Sequence, residues 1–330
     1  MNVKKIGKSN VEVTQIAFGA WAVGGWMWGG TDYKLSVRAI ERAIDLGVTT
    51  IDTAPAYGFG LSEKIVGEAI RGKKDKVQIL TKYGLRWDTD QGKFFFSSMS
   101  NEGKPVRMHK YASKTAVLNE CEESLKRLGV NCIDLYQIHW PDPTTPIEET
   151  MEAIDILIRQ GKIKASGVCN YTVDEMKTAD LAVPLASNQV PYSMVKREIE
   201  NDVVPYCLRN NIGILAYSPL YRGLLTGKIT KDYQFNEGDT RSKLPYFAGE
   251  NLNRVNHFLQ KIKPIADNRN ISLAQLVINW TMKQPGIACV LVGARSPEQV
   301  GENIKAAGFE LTAEETAAIH SELDKLKLIG

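Results

Sequence analysis

Short, continuously apolar runs alternate along the chain with longer stretches in which apolar residues return every three or four positions. The first pattern is typical of strands buried on both faces of a parallel sheet, and the second of helices that bury one face. After Pro146, for example, Ile147, Met151 and Ile154 form such a helical face. The apolar runs predict eight strands: Thr14–Gly19, Val48–Thr53, Val77–Lys82, Cys132–His139, Ile163–Asn170, Ala186–Val190, Gly213–Ser218 and Cys289–Gly293.

Eight strand–helix alternations favour a closed (β/α)8 TIM barrel over an open doubly wound sheet. The chain has no G-x-G-x-x-G sequence, which also weighs against a Rossmann half. Residues 3–13 predict a β-hairpin that turns at residues 7–10 and covers the barrel floor. Because no linker or low-complexity tract divides the chain, we expect residues 1–330 to form a single barrel domain.

Two connections are too long for a minimal barrel. Residues 83–112 and 219–250 each follow the carboxyl end of a predicted strand, the face where barrel enzymes build their active sites. We therefore expect functional loops there. In the first of them, Phe94, Phe95 and Phe96 form either a lid or the contacts that pack the insert onto the barrel.

Helix starts are marked by a hydroxyl residue followed three positions later by an acid or amide. This pattern predicts N-caps at four positions: Thr145, Thr172, Ser296 and Thr312. At Ser296 the third residue is Gln299, whose side chain could serve only this cap.

Composition narrows the function classes. The 330 residues are 43% hydrophobic and 24% charged, and a net charge of +3 gives no argument for a nucleic-acid partner or an acidic membrane surface. Five scattered cysteines without a C-x-x-C pair argue against a disulfide framework and against a structural metal site. With no long apolar run, we expect a cytoplasmic protein without a membrane anchor, monomeric by default, acting on a small molecule.

Polar residues stand at the ends of three successive predicted strands. They are Asp52 with Tyr57, Lys82, and His139. In a barrel these side chains converge on one mouth. A buried lysine needs a carboxylate partner, and Asp52 is placed to provide it.

A tyrosine beside that lysine has a chemical use. The phenol has an ordinary pKa near ~10, and a neighbouring ammonium group is expected to lower it. Tyr57 could then protonate a developing alkoxide while His139 orients the carbonyl oxygen. This chemistry is carbonyl reduction, for which a cofactor must supply the hydride.

The motifs around these residues resemble the aldo-keto reductases closely. They are DTAPAYG with FGLSEKIVGEAI, LTK ending at Lys82, QIHWPDP with His139, then SGVCNY, NQVPYS, YSPLYRGLLTGK and VLVGARSPEQVGEN. They occur in family order across almost the whole chain. The likeness is greatest to the bacterial branch of general stress and inositol-operon reductases, with potassium-channel β subunits as more distant relatives. The family tetrad is filled without substitution by Asp52, Tyr57, Lys82 and His139.

The resemblance implies a cofactor and a binding map. Family members bind NADP(H) in an extended form across the barrel mouth, with Asn170 and Gln189 on the nicotinamide carboxamide and Tyr217 stacked on the ring. The remaining implied cofactor residues are Ala20, Trp21 and Asp52 at the inner edge, Ser218, Leu220, Arg222, Gly223, Lys228 and Arg241 around the pyrophosphate, and Gly293, Arg295, Gln299 and Asn303 at the adenosine 2′-phosphate and adenine.

We expect the substrate pocket to be formed by Trp21, Tyr57, His139 and Trp140. The leading hypothesis is an NADPH-dependent reductase of aldehydes and ketones in which Tyr57 is the general acid and base. Two alternatives remain open from the sequence. One is a nucleotide-binding, redox-sensing subunit with little turnover, and the other is a Schiff-base aldolase that uses Lys82.

Overall fold

A closed barrel of eight parallel strands forms the centre of the computed structural model, which describes residues 1–235 and 239–329. The strands are β1 (Val3–Lys5), β2 (Glu12–Thr14), β3 (Ile16–Gly19), β4 (Thr50–Asp52), β5 (Gln78–Tyr83), β6 (Leu85–Arg86), β7 (Lys93–Met99), β8 (Pro105–Lys110), β9 (Ile133–Ile138), β10 (Ile163–Cys169), β11 (Leu185–Pro191), β12 (Gly213–Tyr217) and β13 (Ile287–Gly293). In chain order the barrel strands are β3, β4, β5, β9, β10, β11, β12 and β13, and β9 pairs with β10 as well as with β5, so that the sheet closes. The predicted (β/α)8 fold is confirmed.

The helices surround this barrel and bury their apolar faces against it. The helices are α1 (Tyr33–Asp45), α2 (Leu61–Ala69), α3 (Lys114–Leu128), α4 (Ile147–Arg159), α5 (Val173–Ala182), α6 (Val203–Asn210), α7 (Gly249–Asn268), α8 (Leu273–Met282), α9 (Pro297–Ile304) and α10 (Ala313–Lys325). Helices that are neighbours in sequence, such as α1 with α2 and α3 with α4, pack side by side around the outside of the barrel.

Three of the four predicted N-caps are present. The hydroxyl groups of Thr172, Ser296 and Thr312 accept bonds from the third residue of their helices. The prediction at Thr145 is wrong. There the Thr145 hydroxyl donates to Asp142, and α4 begins after Pro146 with no side-chain cap.

The amino-terminal hairpin fills the barrel floor, as predicted. Strands β1 and β2 pair antiparallel, and Ile6, Val11 and Val13 are buried with the inward-facing apolar residues of the barrel. Gly7 in the turn has a φ of +53°, and a Cβ atom there would lie 2.3 Å from the carbonyl oxygen of Ala186. Only glycine fits this close approach of the hairpin to the barrel.

Residues 83–112 form a small sheet rather than an irregular loop. Strands β6, β8 and β7 pair antiparallel in that order. Two hydrogen bonds tie the sheet to the loop after β3. Trp26 Nε1 donates to Ser98 Oγ over 3.0 Å, and Asn101 Nδ2 donates to the Gly24 carbonyl over 2.9 Å. We name this sheet, β6 to β8, the insert.

None of the helices within residues 1–235 and 239–329 combines the length and the apolar character that crossing a membrane requires.

Candidate active site

A cavity of about 910 Å³ opens at the carboxyl ends of the barrel strands. Most residues proposed from sequence for catalysis and binding lie in its wall. These are Trp21, Asp52, Tyr57, His139, Trp140, Asn170, Gln189, Tyr217, Ser218, Leu220, Arg222, Gly223, Lys228, Arg241, Gly293, Arg295, Gln299 and Asn303.

Ala20 does not face this cavity. It is fully buried, and its backbone N–H donates to the carbonyl oxygen of Asp52 over 2.8 Å. Its carbonyl oxygen accepts from the Ser62 hydroxyl over 2.8 Å. Ala20 therefore joins β3 to β4 behind the wall, which is a supporting position rather than the cofactor contact expected for it.

Lys82 is buried and paired with Asp52. Its Nζ atom donates to Asp52 Oδ1 over 2.6 Å and to the Thr53 carbonyl over 2.8 Å. Burial alone would lower the pKa of Lys82, but the Asp52 carboxylate reverses this, and the pKa lies well above its usual value. The lysine is consequently a permanent ammonium group at the bottom of the site.

Tyr57 lies beside this ammonium group. Lys82 Nζ is 4.9 Å from the centroid of the Tyr57 ring. Burial raises the pKa of Tyr57 to about 12, and the charge of Lys82 offsets only part of that rise. The sequence-based expectation of a lowered pKa is therefore wrong in its net direction, although the ammonium group acts in the direction expected. Tyr57 is a phenol that keeps its proton at neutral pH.

His139 completes the group around the phenol. Its ring centroid is 5.5 Å from that of Tyr57, and its backbone N–H is fixed by a bond of 2.8 Å to the Tyr83 carbonyl. Burial, and then the charge of Lys82, lower the pKa of His139 well below its usual value. The imidazole is neutral, so one ring nitrogen can donate a hydrogen bond and the other can accept one.

Two glutamine side chains contact the other oxygen of Asp52. Gln189 Nε2 donates to Asp52 Oδ2 over 2.8 Å, and Gln137 Nε2 does so over 3.5 Å. Sequence reasoning missed Gln137. The available signal was an amide side chain within a predicted buried strand, because buried amides need partners. These bonds leave Asp52 oriented toward Lys82.

Asn170 and Tyr217 form a second hydrogen-bonded pair at the cavity wall. The Tyr217 hydroxyl donates to Asn170 Oδ1 over 3.0 Å, and Asn170 Nδ2 donates to the carbonyl oxygen of His139 over 3.1 Å. Asn170 has a φ of +60°, a conformation that asparagine tolerates better than most residues. The turn after β10 thus places the amide beside His139.

The end of the cavity beside the start of α9 carries guanidinium groups. Arg222 lies 5.0 Å over the Trp21 ring, and Arg295 donates to the Trp28 carbonyl over 3.2 Å. Neither forms an ion pair with a carboxylate in the part of the chain that the structure describes. Arg241 differs, because Asp239 binds it through both oxygens while its Nη1 donates to the Arg222 carbonyl over 2.9 Å. Cationic donors of this kind fit the phosphate groups of a dinucleotide.

Gln299 and Asn303 fix the start of α9 at this end. Gln299 Oε1 accepts from the backbone N–H of Arg295 over 2.8 Å, and Asn303 Nδ2 donates to the Gly293 carbonyl over 3.3 Å. Gln299 does not return a bond to the Ser296 backbone, so the complete capping arrangement considered from sequence is not formed. Its side chain instead shapes the backbone next to Arg295.

The opposite end of the cavity is apolar and aromatic. Sequence reasoning did not assign most of its wall, which consists of Trp26 and Met27 from the loop after β3 and Leu85, Phe95 and Phe96 from the insert. Trp26 and Phe96 also pack the insert, with ring centroids 6.1 Å apart and planes 9° apart. The packing suggested for the Phe94–Phe96 run is present at Phe96, and Phe95 and Phe96 also face the cavity. The lid remains a prediction.

The fold and this site define a nicotinamide-dependent oxidoreductase built on a barrel. The family model described as Aldo/keto reductase family matches residues 15–324. The chain belongs to the aldo/keto reductase family.

Individual relatives extend this result. The chain is 40% identical over 327 residues to Aldo-keto reductase YhdN of Bacillus subtilis, covering 98% of this chain and 94% of that protein. It is 35% identical to the NADH-specific methylglyoxal reductase of Escherichia coli, covering 94% and 95%. Among solved structures, the glycerol dehydrogenase AKR11B4 from Gluconobacter oxydans matches with a TM-score of 0.89 at 37% identity, covering 99% of this chain and 97% of that one.

Proposed function

We propose that this protein is an NADP(H)-dependent reductase of aldehydes and ketones in which Tyr57 exchanges a proton with the substrate oxygen. One observation carries the proposal: the Tyr57 phenol faces the cavity 4.9 Å from an ammonium group that Asp52 holds in place. A proton donor of this kind suits the oxygen of a carbonyl group as it becomes an alkoxide.

The side chains divide the work. The nicotinamide cofactor, when bound, supplies the hydride that the carbonyl carbon receives. Tyr57 donates its proton to the oxygen, and the neutral His139 ring donates a hydrogen bond that orients the same oxygen. Lys82 stabilises the phenolate left behind, because a buried positive charge favours a neighbouring negative one. In alcohol oxidation the same phenolate accepts the proton.

The same geometry disfavours the aldolase hypothesis. A Schiff base requires a lysine amine without its proton, and Asp52 keeps Lys82 charged. Sodium borohydride added with a candidate aldehyde is therefore expected to leave Lys82 without a covalent adduct.

We assign the adenosine 2′-phosphate to Arg295, which lies at the cavity wall beside the start of α9. Because one relative is named as NADH-specific, the preference of this protein for NADPH over NADH requires a direct test. Glu298 and Glu302 also line this end, and their negative charges oppose the binding of a phosphate group. The cofactor preference therefore depends on the balance between one guanidinium group and two carboxylates.

The replacement Tyr57→Phe tests the mechanism. We expect kcat for carbonyl reduction to fall by at least about 100-fold, the range of general acid catalysis, while the Kd for NADPH stays unchanged. Tyr83→Phe is the matched control. Tyr83 lies on β5 next to Lys82, and its buried hydroxyl has no hydrogen-bond partner among the described residues. Loss of NADPH binding in Tyr57→Phe would contradict a role confined to proton transfer.

Tight NADPH binding by the wild type without turnover of any carbonyl compound would instead favour the redox-sensing subunit.

The replacement Arg295→Ala tests the cofactor assignment. Loss of a charge-assisted hydrogen bond to the 2′-phosphate should raise the Kd for NADPH by about 10- to 100-fold and leave that for NADH within about twofold. Fluorescence titration with both cofactors measures the two constants without relying on turnover. Equal losses for the two cofactors would place Arg295 away from the 2′-phosphate.

A further inference from the structure

A β-bulge interrupts the pairing of β7 with β8 at the phenylalanine run. Phe94 pairs with His109, and Phe96 pairs with Met108. The partners on β8 are adjacent in sequence, whereas one residue lies between the two on β7. Phe95 is this additional residue. In a regular strand, Phe95 and Phe96 would point to opposite faces. The bulge changes this alternation, since bulges bend a strand and redirect its side chains.

The outcome is that the run is split between the solvent and the cavity. Phe94 is 43% exposed, whereas Phe95 and Phe96 both line the cavity that contains Tyr57. Phe95 therefore reaches the substrate side only because of an irregularity in the insert.

Phe95 is held against the residue that follows the catalytic histidine. The Phe95 and Trp140 ring centroids are 5.2 Å apart. Lys110 Nζ lies 4.3 Å from the Phe95 centroid and 5.2 Å from that of Trp140, so one ammonium group contacts both rings. These contacts fix the Phe95 ring rather than leaving it to move freely.

The wall is also fixed from the side of the first loop. Trp26 stacks on Phe96 and donates a hydrogen bond to Ser98 at the end of the bulged segment. The aromatic surface is thus held in place by contacts within the protein itself. A flat apolar group that binds to such a surface gains buried apolar area and ring contacts, and little is lost in ordering side chains that are already held.

We propose that Phe95 is a specificity-determining residue that favours carbonyl compounds carrying a planar aromatic substituent over small aliphatic carbonyl compounds. The proposal rests on the carbonyl reductase function given above. It assigns the substituent to the aromatic end formed by Phe95, Trp26 and Trp140.

Phe95→Ala tests this directly, with Phe94→Ala as the matched control from the exposed side of the bulge. Steady-state rates with NADPH are measured for benzaldehyde and for methylglyoxal. In Phe95→Ala we expect kcat/KM for benzaldehyde to fall about tenfold, chiefly through KM, and that for methylglyoxal to change by less than about twofold. Phe94→Ala should leave both values near those of the wild type.

A second variant separates ring contacts from a general loss of order in the insert. Phe95→Tyr keeps the ring and should retain most of the preference for benzaldehyde. Equal losses for both substrates in Phe95→Ala, or no loss for either, would overturn the assignment of Phe95. If the wild type reduces neither compound with NADPH or NADH, the proposed function fails first, and the two failures are thereby distinguishable.

Discussion

Tyr57, Lys82 and His139 lie within one small volume, and each has an ionisation state set by its neighbours. The charge of Lys82 could be inferred from the sequence, because a buried lysine requires a carboxylate and Asp52 was available. The ionisation of Tyr57 could not. It depends on how much solvent the phenol loses, and that loss raises its pKa to about 12 in spite of the lysine. The effect of one charged side chain on another could be inferred from the sequence, whereas the extent to which a side chain is buried is known only from the folded structure.

These ionisation states predict the pH dependence of the reaction. Reduction needs the protonated phenol, so a Tyr57 pKa of about 12 keeps kcat/KM for reduction flat from about pH 7 to about pH 10. Alcohol oxidation needs the phenolate, so its kcat/KM should rise by nearly tenfold per pH unit over the same range. The lowered pKa of His139 predicts no loss of activity from its titration near its usual value. Initial rates in both directions at constant ionic strength provide the measurement, and an alkaline fall in reduction near about pH 8 would contradict it.

Helices α2 and α3 are joined by a buried ion pair that also reaches the barrel. Glu63 is fully buried, and its carboxylate accepts from Arg127 Nε over 2.6 Å and from the Thr81 hydroxyl over 2.6 Å. Because Thr81 precedes Lys82 on β5, this connection supports the strand that carries Lys82.

Removing the cation should destabilise the fold. In Arg127→Met we expect the free energy of unfolding to fall by about 3 kcal/mol, since the Glu63 carboxylate would remain buried with the Thr81 hydroxyl but without a positive charge. The matched control is Arg159→Met on α4, where the arginine side chain is 76% exposed and its loss should cost less than about 0.5 kcal/mol. Urea unfolding of both variants gives the comparison. Equal costs would show that the Glu63–Arg127 pair does not act as a buried pair.

At the level of elements, the barrel could be predicted and the insert could not. The run from Cys289 to Val292 is apolar at every position, and such runs identify central parallel strands without knowledge of their neighbours. The insert is different, because three consecutive phenylalanines show neither alternation nor helical spacing. Its register depends on the bulge at Phe95, which exists only through the pairing of β7 with β8.

The same limit applies to the candidate site. Residues at strand ends, such as Asp52 and His139, could be placed from topology alone, since all strand ends meet at one face. Ala20, one position beyond β3, could not be assigned to the wall or to the layer behind it, because that depends on the path of the loop. Trp26 and Phe95 come from segments without a regular pattern. Trp26 was not among the predicted pocket residues, and for Phe95 the sequence left a lid and packing of the insert as open alternatives.

At the scale of the whole molecule, the hairpin approaches the barrel closely at Gly7. We expect Gly7→Ala to lower the midpoint of urea unfolding strongly, because the new Cβ would lie 2.3 Å from the Ala186 carbonyl oxygen in addition to requiring a positive φ. Gly103→Ala is the control, with a φ of +74° and open space around the added atom. It should cost only about 1 kcal/mol. Similar midpoints for the two variants would show that the hairpin yields to the added methyl group.

The hairpin at the barrel floor also bears on how ligands enter and leave the cavity. In the part of the chain that the structure describes, Ile6, Val11 and Val13 cover the amino ends of the barrel strands. On the function proposed above, dinucleotide and carbonyl compound both enter at the carboxyl ends, where the cavity opens. The compound that lies deeper must then bind before the other and leave after it.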